Sequence, residues 1–257
     1  MKQYYYLVYI QYLGFRFHGW QKQPAQKTIH QMIDKTVEFV LGKAEFKTMG
    51  SSKTDSKVSA NTSAFELFTK EPIDLDWFLA NFNSNLPNDI RATLIQEVDK
   101  NFNIINTPRL KEYLYLFTFA EKPHPFSASL MAYFKGDLDI ELMKKGAKLF
   151  EGEHNFVRYC TKPSANTKFN RTINLCQIVE NSFYTANFFP KKSFALRIQS
   201  YGFLRYQVRL IMAQLVELGK HEIDLKELEL SLTGKDKSPF RQIVPGSGLM
   251  LNSIIFD

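Results

Sequence analysis

Residues 50–61, GSSKTDSKVSAN, are small and polar, and they run into residues 63–69, SAFELFT, which read as a strand. A polar loop feeding a strand is a usual place for chemistry, because the strand fixes what the loop presents. Toward the N-terminus, residues 3–13 are β-prone and partly alternating, which predicts another strand. Between the two, Thr28 and Gln31 have capping-box spacing. Ile29, Met32, Ile33, Val37, Val40 and Leu41 recur on one helical face, and Gly42 is a natural stop.

Toward the C-terminus, Asp74 is placed to cap a helix through Trp77, Phe78 and Phe82 that ends at Asn85-Leu86-Pro87. Strands are predicted near 91–98 and over 111–120. The second half repeats the alternation: helix 139–150, strands 172–180 and 193–200, helix 203–218 closed by Gly219, helix 225–232, and strand 249–256. Asp224 and Glu227 again have capping-box spacing. Helices interspersed with hairpin-like strands predict α/β or α+β layers in two halves, residues 1–105 and 106–257. No internal repeat or low-complexity linker separates them.

The chain has 257 residues, 44% of them hydrophobic and 23% charged, so it can bury a full core. Cys160 and Cys176 show neither metal-ligand spacing nor a secreted framework, and no apolar run is long enough to span a bilayer. A cytoplasmic protein is expected. The net charge of +7 is concentrated from Asn155 to Val216, where Arg158, Lys162, Lys168, Arg171, Lys191, Lys192, Arg197, Arg205 and Arg209 face a single acid, Glu180. Aromatics are interleaved through the same segment. That combination is expected of a surface that meets phosphate and stacks on unpaired bases, and equally of a basic face over an aromatic core.

Several kinds of site are absent from the sequence. It has no phosphate-cradling glycine loop, no dinucleotide fingerprint, no nucleophile elbow, and no His or Cys pair spaced for zinc. A reaction without a cofactor, or binding alone, is left.

Eight short segments, in order along the chain, resemble the tRNA pseudouridine synthase A family. Phe17-His18-Gly19-Trp20-Gln21-Lys22-Gln23-Pro24, followed by Thr28-Ile29, is similar to its FHGWQ-x-QP segment. Lys53-Thr54-Asp55, with Val58 and Ala60, resembles its catalytic loop, GRTDAGVHA. Asn85-Leu86-Pro87 with Asp89-Ile90 and Lys111-x-Tyr113-x-Tyr115 match its LP-x-DI turn and tyrosine strand. Gly152-x-His154-x-Phe156, Arg171-x-Ile173, Gly202-Phe203-Leu204 with Val208-Arg209, and Gly248-Leu249-x-Leu251 continue the pattern.

The resemblance implies a pseudouridine synthase fold: two α/β domains, each with a largely antiparallel sheet flanked by helices, and an active-site cleft between them. It implies a homodimer that converts uridine to pseudouridine in the anticodon stem-loop of tRNA, positions 38–40, without cofactor or metal. The reaction breaks the C1′–N1 bond, turns the held uracil, and joins C5 to C1′. Asp55 is the implied catalytic carboxylate, either attacking C1′ or removing the C2′ proton, and the sequence does not choose between them. A uridine in a stem must be flipped to be reached, and Tyr113 is the implied stacking ring, with Tyr115 as support. Arg209 is the implied ionic partner of Asp55, keeping it charged when the base excludes water. Lys53 and Lys57 flank the carboxylate, and with Arg205, Lys111, Arg158, Lys162, Lys168 and Arg171 they are the candidate RNA-binding bases. Trp20 and His154 read as structural.

The departures cluster in the catalytic loop. Lys53 stands where the family has Arg, Ser56-Lys57 replace Ala-Gly, and Ser59 replaces His. A lysine at a glycine position predicts altered loop geometry, since positive φ costs it more. Phe102-Asn103-Ile104-Ile105 stands where FHAR is expected, so the arginine is missing. A non-catalytic or retargeted RNA-binding paralogue on the same scaffold is the alternative that these changes keep open.

Overall fold

Strand β1 (Tyr4–Tyr12) has covered side chains on both faces. Tyr6, Val8, Ile10 and Tyr12 are buried on one, and Leu7 joins Ala64 and Ile104 in a small cluster on the other. It leads to helix α1 (Ile29–Leu41), whose first turn is capped as the spacing predicts: the Gln31 N–H donates to Thr28 Oγ1. Gly42 ends the helix at φ 65°. Strand β2 (Phe46–Gly50) follows, then β3 (Ser59–Thr69), helix α2 (Leu75–Asn85) capped by Asp74, and strand β4 (Ile90–Glu97).

The computed structural model describes residues 3–42 and 44–256. The chain divides into two compact units, Met1–Arg109 with Leu251–Asp257, and Leu110–Met250. The second unit carries most of β5 (Arg109–Phe119), then β6 (Ala132–Phe134), α3 (Ile140–Lys148), β7 (Gly152–Asn155), β8 (Asn170–Ile173), β9 (Leu175–Glu180) and β10 (Phe194–Ser200). Helices α4 (Gln207–Gly219) and α5 (Leu225–Leu230) come next, and β11 (Leu249–Phe256) ends the described chain.

In the first unit the strand order is β4-β1-β3-β11, with β2 also on β3. The β1–β3, β1–β4 and β2–β3 pairings are antiparallel. Register is fixed by burial: Val8 lies between Phe65 and Ile95, so a one-residue slip would turn β1 inside out. Helices α1 and α2 pack together. In the second unit β10 lies between β5 and β9, both antiparallel to it, while β6 joins β5 in parallel and β7–β8 form a separate pair. Helix α3 packs on α4 and β9. Both units are thus mixed α/β layers with largely antiparallel sheets, as the sequence predicts.

Several elements differ from that reading. The strand expected over 172–180 is broken at Asn174, whose N–H donates to the Gln199 carbonyl at 2.8 Å, so that β8 pairs with β7 and β9 with β10. The helix expected from residue 203 starts at Gln207. Residues 203–206 form a turn closed by the Gln207 side chain, which accepts from the Leu204 N–H at 2.7 Å, and Tyr206 takes a left-handed conformation at φ 64°. Strands β2, β6 and β7 carry no alternation strong enough to announce them. Among the described residues, no helix is long and apolar enough to cross a membrane.

Candidate active site and RNA-binding residues

The polar loop before β3 is held from behind by the segment after β1. The Thr54 carbonyl accepts from the Trp20 N–H at 3.0 Å, and the Lys57 N–H donates to the Phe17 carbonyl at 3.1 Å. Ser56 Oγ–H reaches the same Phe17 carbonyl at 3.3 Å, and the Val58 N–H closes a turn on the Asp55 carbonyl at 3.2 Å. Deeper in, the Gly14 N–H donates to Ser59 Oγ at 2.9 Å, and the Tyr12 hydroxyl bonds Thr54 Oγ1 at 2.9 Å. Burial pushes the Tyr12 pKa up, so this hydroxyl stays neutral and hydrogen-bonding.

Gly19 explains why these two distant segments go together. At φ 86°, a Cβ there would sit 2.6 Å from the Thr54 carbonyl oxygen and 3.0 Å from the Asp55 carbonyl carbon. Only a residue without a side chain lets the loop backbone come so close. Trp20, buried and stacked on His30 with ring centroids 5.5 Å apart, backs this contact as a structural residue. The result is a fixed turn presenting the half-buried Asp55 between exposed Lys53 and Lys57. Lys57 adopts φ 65°, the conformation that glycine takes cheaply, and its ammonium lies 5.5 Å from the Phe15 ring centroid.

Within the second unit, Tyr113 lies on β5 opposite Ile198 of β10. Its ring meets Phe203 edge-on, 5.3 Å between centroids at 89°. Tyr115, two residues on, is fully buried and donates its hydroxyl to the Pro245 carbonyl at 2.9 Å. Burial pushes its pKa up as well, which fits the supporting role expected of it. Arg209 lies on α4, half-buried, and its Nε–H donates to the Val244 carbonyl at 2.8 Å. The guanidinium groups of Arg209 and Arg205 lie 5.1 and 5.3 Å from the Tyr206 ring centroid. Arg205 does so from the turn before α4, not from the helix itself.

The remaining candidate bases separate into three groups. Lys162, Lys168, Arg171 and Arg205 line one cavity of about 550 Å³, together with Phe203, Asn166 and Ser164. Arg158 is committed elsewhere: its Nε donates to the Ser238 carbonyl at 3.0 Å, Nη1 pairs with Asp236 at 3.1 Å, and its guanidinium lies 4.1 Å from the Phe240 ring. Lys111 stands near the start of β5, half-buried, opposite Ser200 of β10. His154 is a structural residue as expected, with Nε2 hydrogen-bonded to the Glu151 carbonyl at 2.8 Å. The sequence gives Phe203 and Tyr206 no individual role. Their signals were their place among the aromatics of the basic segment and, for Phe203, the Gly202-Phe203-Leu204 match, neither of which says where the rings point.

Comparison with known proteins gives the same direction. A family model described as tRNA pseudouridine synthase matches residues 147–257. The tRNA pseudouridine synthase A of Ligilactobacillus salivarius is 30% identical over 251 residues, covering 97% of this chain and 95% of that protein. That of Clostridium kluyveri is 29% identical, covering 96% and 97%. The tRNA pseudouridine synthase A 2 of Bacillus cereus strain ZK is 27% identical, covering 98% and 99%. With similarity along nearly its whole length, and a turn built to present one carboxylate, the chain belongs to the tRNA pseudouridine synthase A family of RNA-isomerising enzymes.

Proposed function

We propose that this protein isomerises uridine to pseudouridine in tRNA, in the anticodon stem-loop at positions 38–40, with Asp55 as the catalytic carboxylate. The observation that carries this reading is the turn at residues 54–58, fixed by backbone bonds to Phe17 and Trp20, with Asp55 displayed between two lysines. A carboxylate held so firmly is suited to act on a sugar carbon or its neighbouring proton, since positioning is most of what such a step requires. In this reading Tyr113 stacks on the flipped uracil, and Arg209 supplies the countercharge that keeps the carboxylate ionised once water is excluded. Lys53 and Lys57 hold the nucleotide's phosphates, while Lys111, Lys162, Lys168, Arg171 and Arg205 meet the rest of the RNA strand. The isomerisation leaves oxidation state and composition unchanged, so it calls for no redox partner or co-substrate. We further propose a homodimer working in the cytoplasm.

The test is conversion of uridine in transcribed tRNA by the parent protein and by Asp55→Asn, read by mass spectrometry beside an RNA-binding measurement. The parent should convert an anticodon-stem uridine. The variant should lose about 10³-fold or more in rate and still bind. A parent that binds tRNA and converts nothing would instead establish the non-catalytic reading.

A further inference from the structure

The cavity lined by Lys162, Lys168, Arg171 and Arg205 is distinguished by charge with no acidic partner among the described residues. Among the described residues that line it there is no Asp or Glu, and none of the four bases is ion-paired. Other bases of the chain do find partners. Arg158 has Asp236, Arg197 has Glu112, and Lys148 has Glu151. Four like charges around one concavity repel one another, and an anion that enters it relieves the repulsion.

The walls are built for more than a bare ion. Residues 162–168 form a loop closed by the Thr167 N–H on the Ser164 carbonyl at 3.0 Å, and the Ser164 and Thr167 hydroxyls bond each other at 3.0 Å. Lys162 and Lys168 are exposed at its two ends, and Asn166 is between them. Another wall is Phe203, whose ring meets Tyr113. We infer that this cavity seats one nucleotide of the RNA strand next to the uridine that is isomerised. Its phosphate lies among the four bases, and its base lies against Phe203. The inference rests on the isomerase reading for the role of Tyr113, and it adds a specific subsite: the strand is gripped at a neighbouring nucleotide while the target base is turned. It also divides the candidate bases, giving Lys168 and Arg171 to RNA and Arg158 to the fold.

The experiment compares parent, Lys168→Gln/Arg171→Gln and a control, Lys144→Gln, whose lysine lies on α3 paired with Glu141. RNA affinity is measured between 50 and 300 mM salt as conditions chosen to expose phosphate contacts, with uridine monophosphate titrated separately. Loss of one phosphate contact should flatten the log–log salt dependence by about 0.7 to 0.9, and weaken binding about tenfold at low salt, with the control unchanged. The double variant should raise KM and leave kcat in place. An unchanged salt slope overturns the inference. So does tight binding of uridine monophosphate that the double variant abolishes without altering RNA binding, since the cavity would then serve a free nucleotide. Because the slope is read from binding and not from product, a parent that makes no pseudouridine yet shows this loss of slope leaves the phosphate seat standing and removes only the isomerase reading.

Discussion

The Nε–H of Arg209 donates to the carbonyl oxygen of Val244 at 2.8 Å, tying the side chain on α4 to the segment before β11. The bond fixes the plane of the guanidinium and leaves the two Nη groups to other partners. Lysine has one charged nitrogen and cannot both occupy that carbonyl and present a planar fork. Arg209→Lys should therefore keep the charge and lose most of the activity, by about 100-fold in single-turnover conversion, with a small change in melting temperature. Near-parental turnover would show that orientation of the guanidinium is unimportant.

Gly19→Ala tests the backing of the turn. The new Cβ would meet the Thr54 carbonyl oxygen at 2.6 Å, and neither partner is a flexible side-chain end. The positive φ adds strain of about 1 kcal/mol. The Asp55 turn must shift, and displacement near 1 Å costs about 10²-fold in rate. The expected result is a stability loss of about 1–3 kcal/mol by denaturant titration with a disproportionate loss of turnover. Equal turnover per folded molecule would disconnect Gly19 from catalysis.

Lys57→Gly should separate stability from affinity. Glycine relieves the left-handed strain at φ 65°, worth about 1 kcal/mol, offset in part by a more flexible unfolded chain. It also removes a lysine beside Asp55. We expect the unfolding midpoint to hold or rise while KM for tRNA rises several-fold. A stability that falls by more than about 1 kcal/mol would mean that the ammonium over Phe15 matters more than the backbone.

Glu66 offers a pH test on the scaffold. Its carboxyl is buried on β3, with Oε2 accepting from the Ile104 N–H at 3.1 Å and Oε1 lacking a partner among the described residues. Desolvation raises its pKa, opposed by the Ile104 N–H and by Lys47. An acid with a higher pKa folded than unfolded holds its proton more tightly when folded. Its contribution is therefore full below the unfolded value and is lost as pH rises through the folded one. Glu66→Gln keeps an acceptor for Ile104 and removes the titration. Relative to the parent, the variant should gain stability in chemical denaturation as pH rises from 4 to 8; a constant difference across that range would contradict the assignment.

The sequence announced elements whose ends carry side-chain chemistry. Thr28, Asp74 and Asp224 cap helices through their own oxygens, and Asp224 with Glu227 forms the complete box that its spacing predicts. Partial alternation likewise marked β1. What stayed hidden depends on distant partners. Strand β7 is polar and exists because β8 pairs with it, and the late start of α4 follows from a left-handed Tyr206, for which that residue type gives no warning. Of the candidate site, motif order supplied Asp55 and its flanking lysines. The grouping of Lys162, Lys168, Arg171 and Arg205 around one cavity needed the loop of residues 162–168 to fold back, and spacing does not encode that.

The first unit takes its fifth strand from the far end of the chain, with β11 lying beside β3. During synthesis, the part of β3 that β2 does not pair must wait with its edge uncovered until the whole second unit has been translated. Exposed strand edges recruit other chains, so this interval is when the nascent protein most needs a chaperone. A frameshift that garbled only residues 251–256 would leave the motifs at Asp55, Tyr113 and Arg209 intact in sequence, yet it would yield a product prone to aggregate before any of them could act.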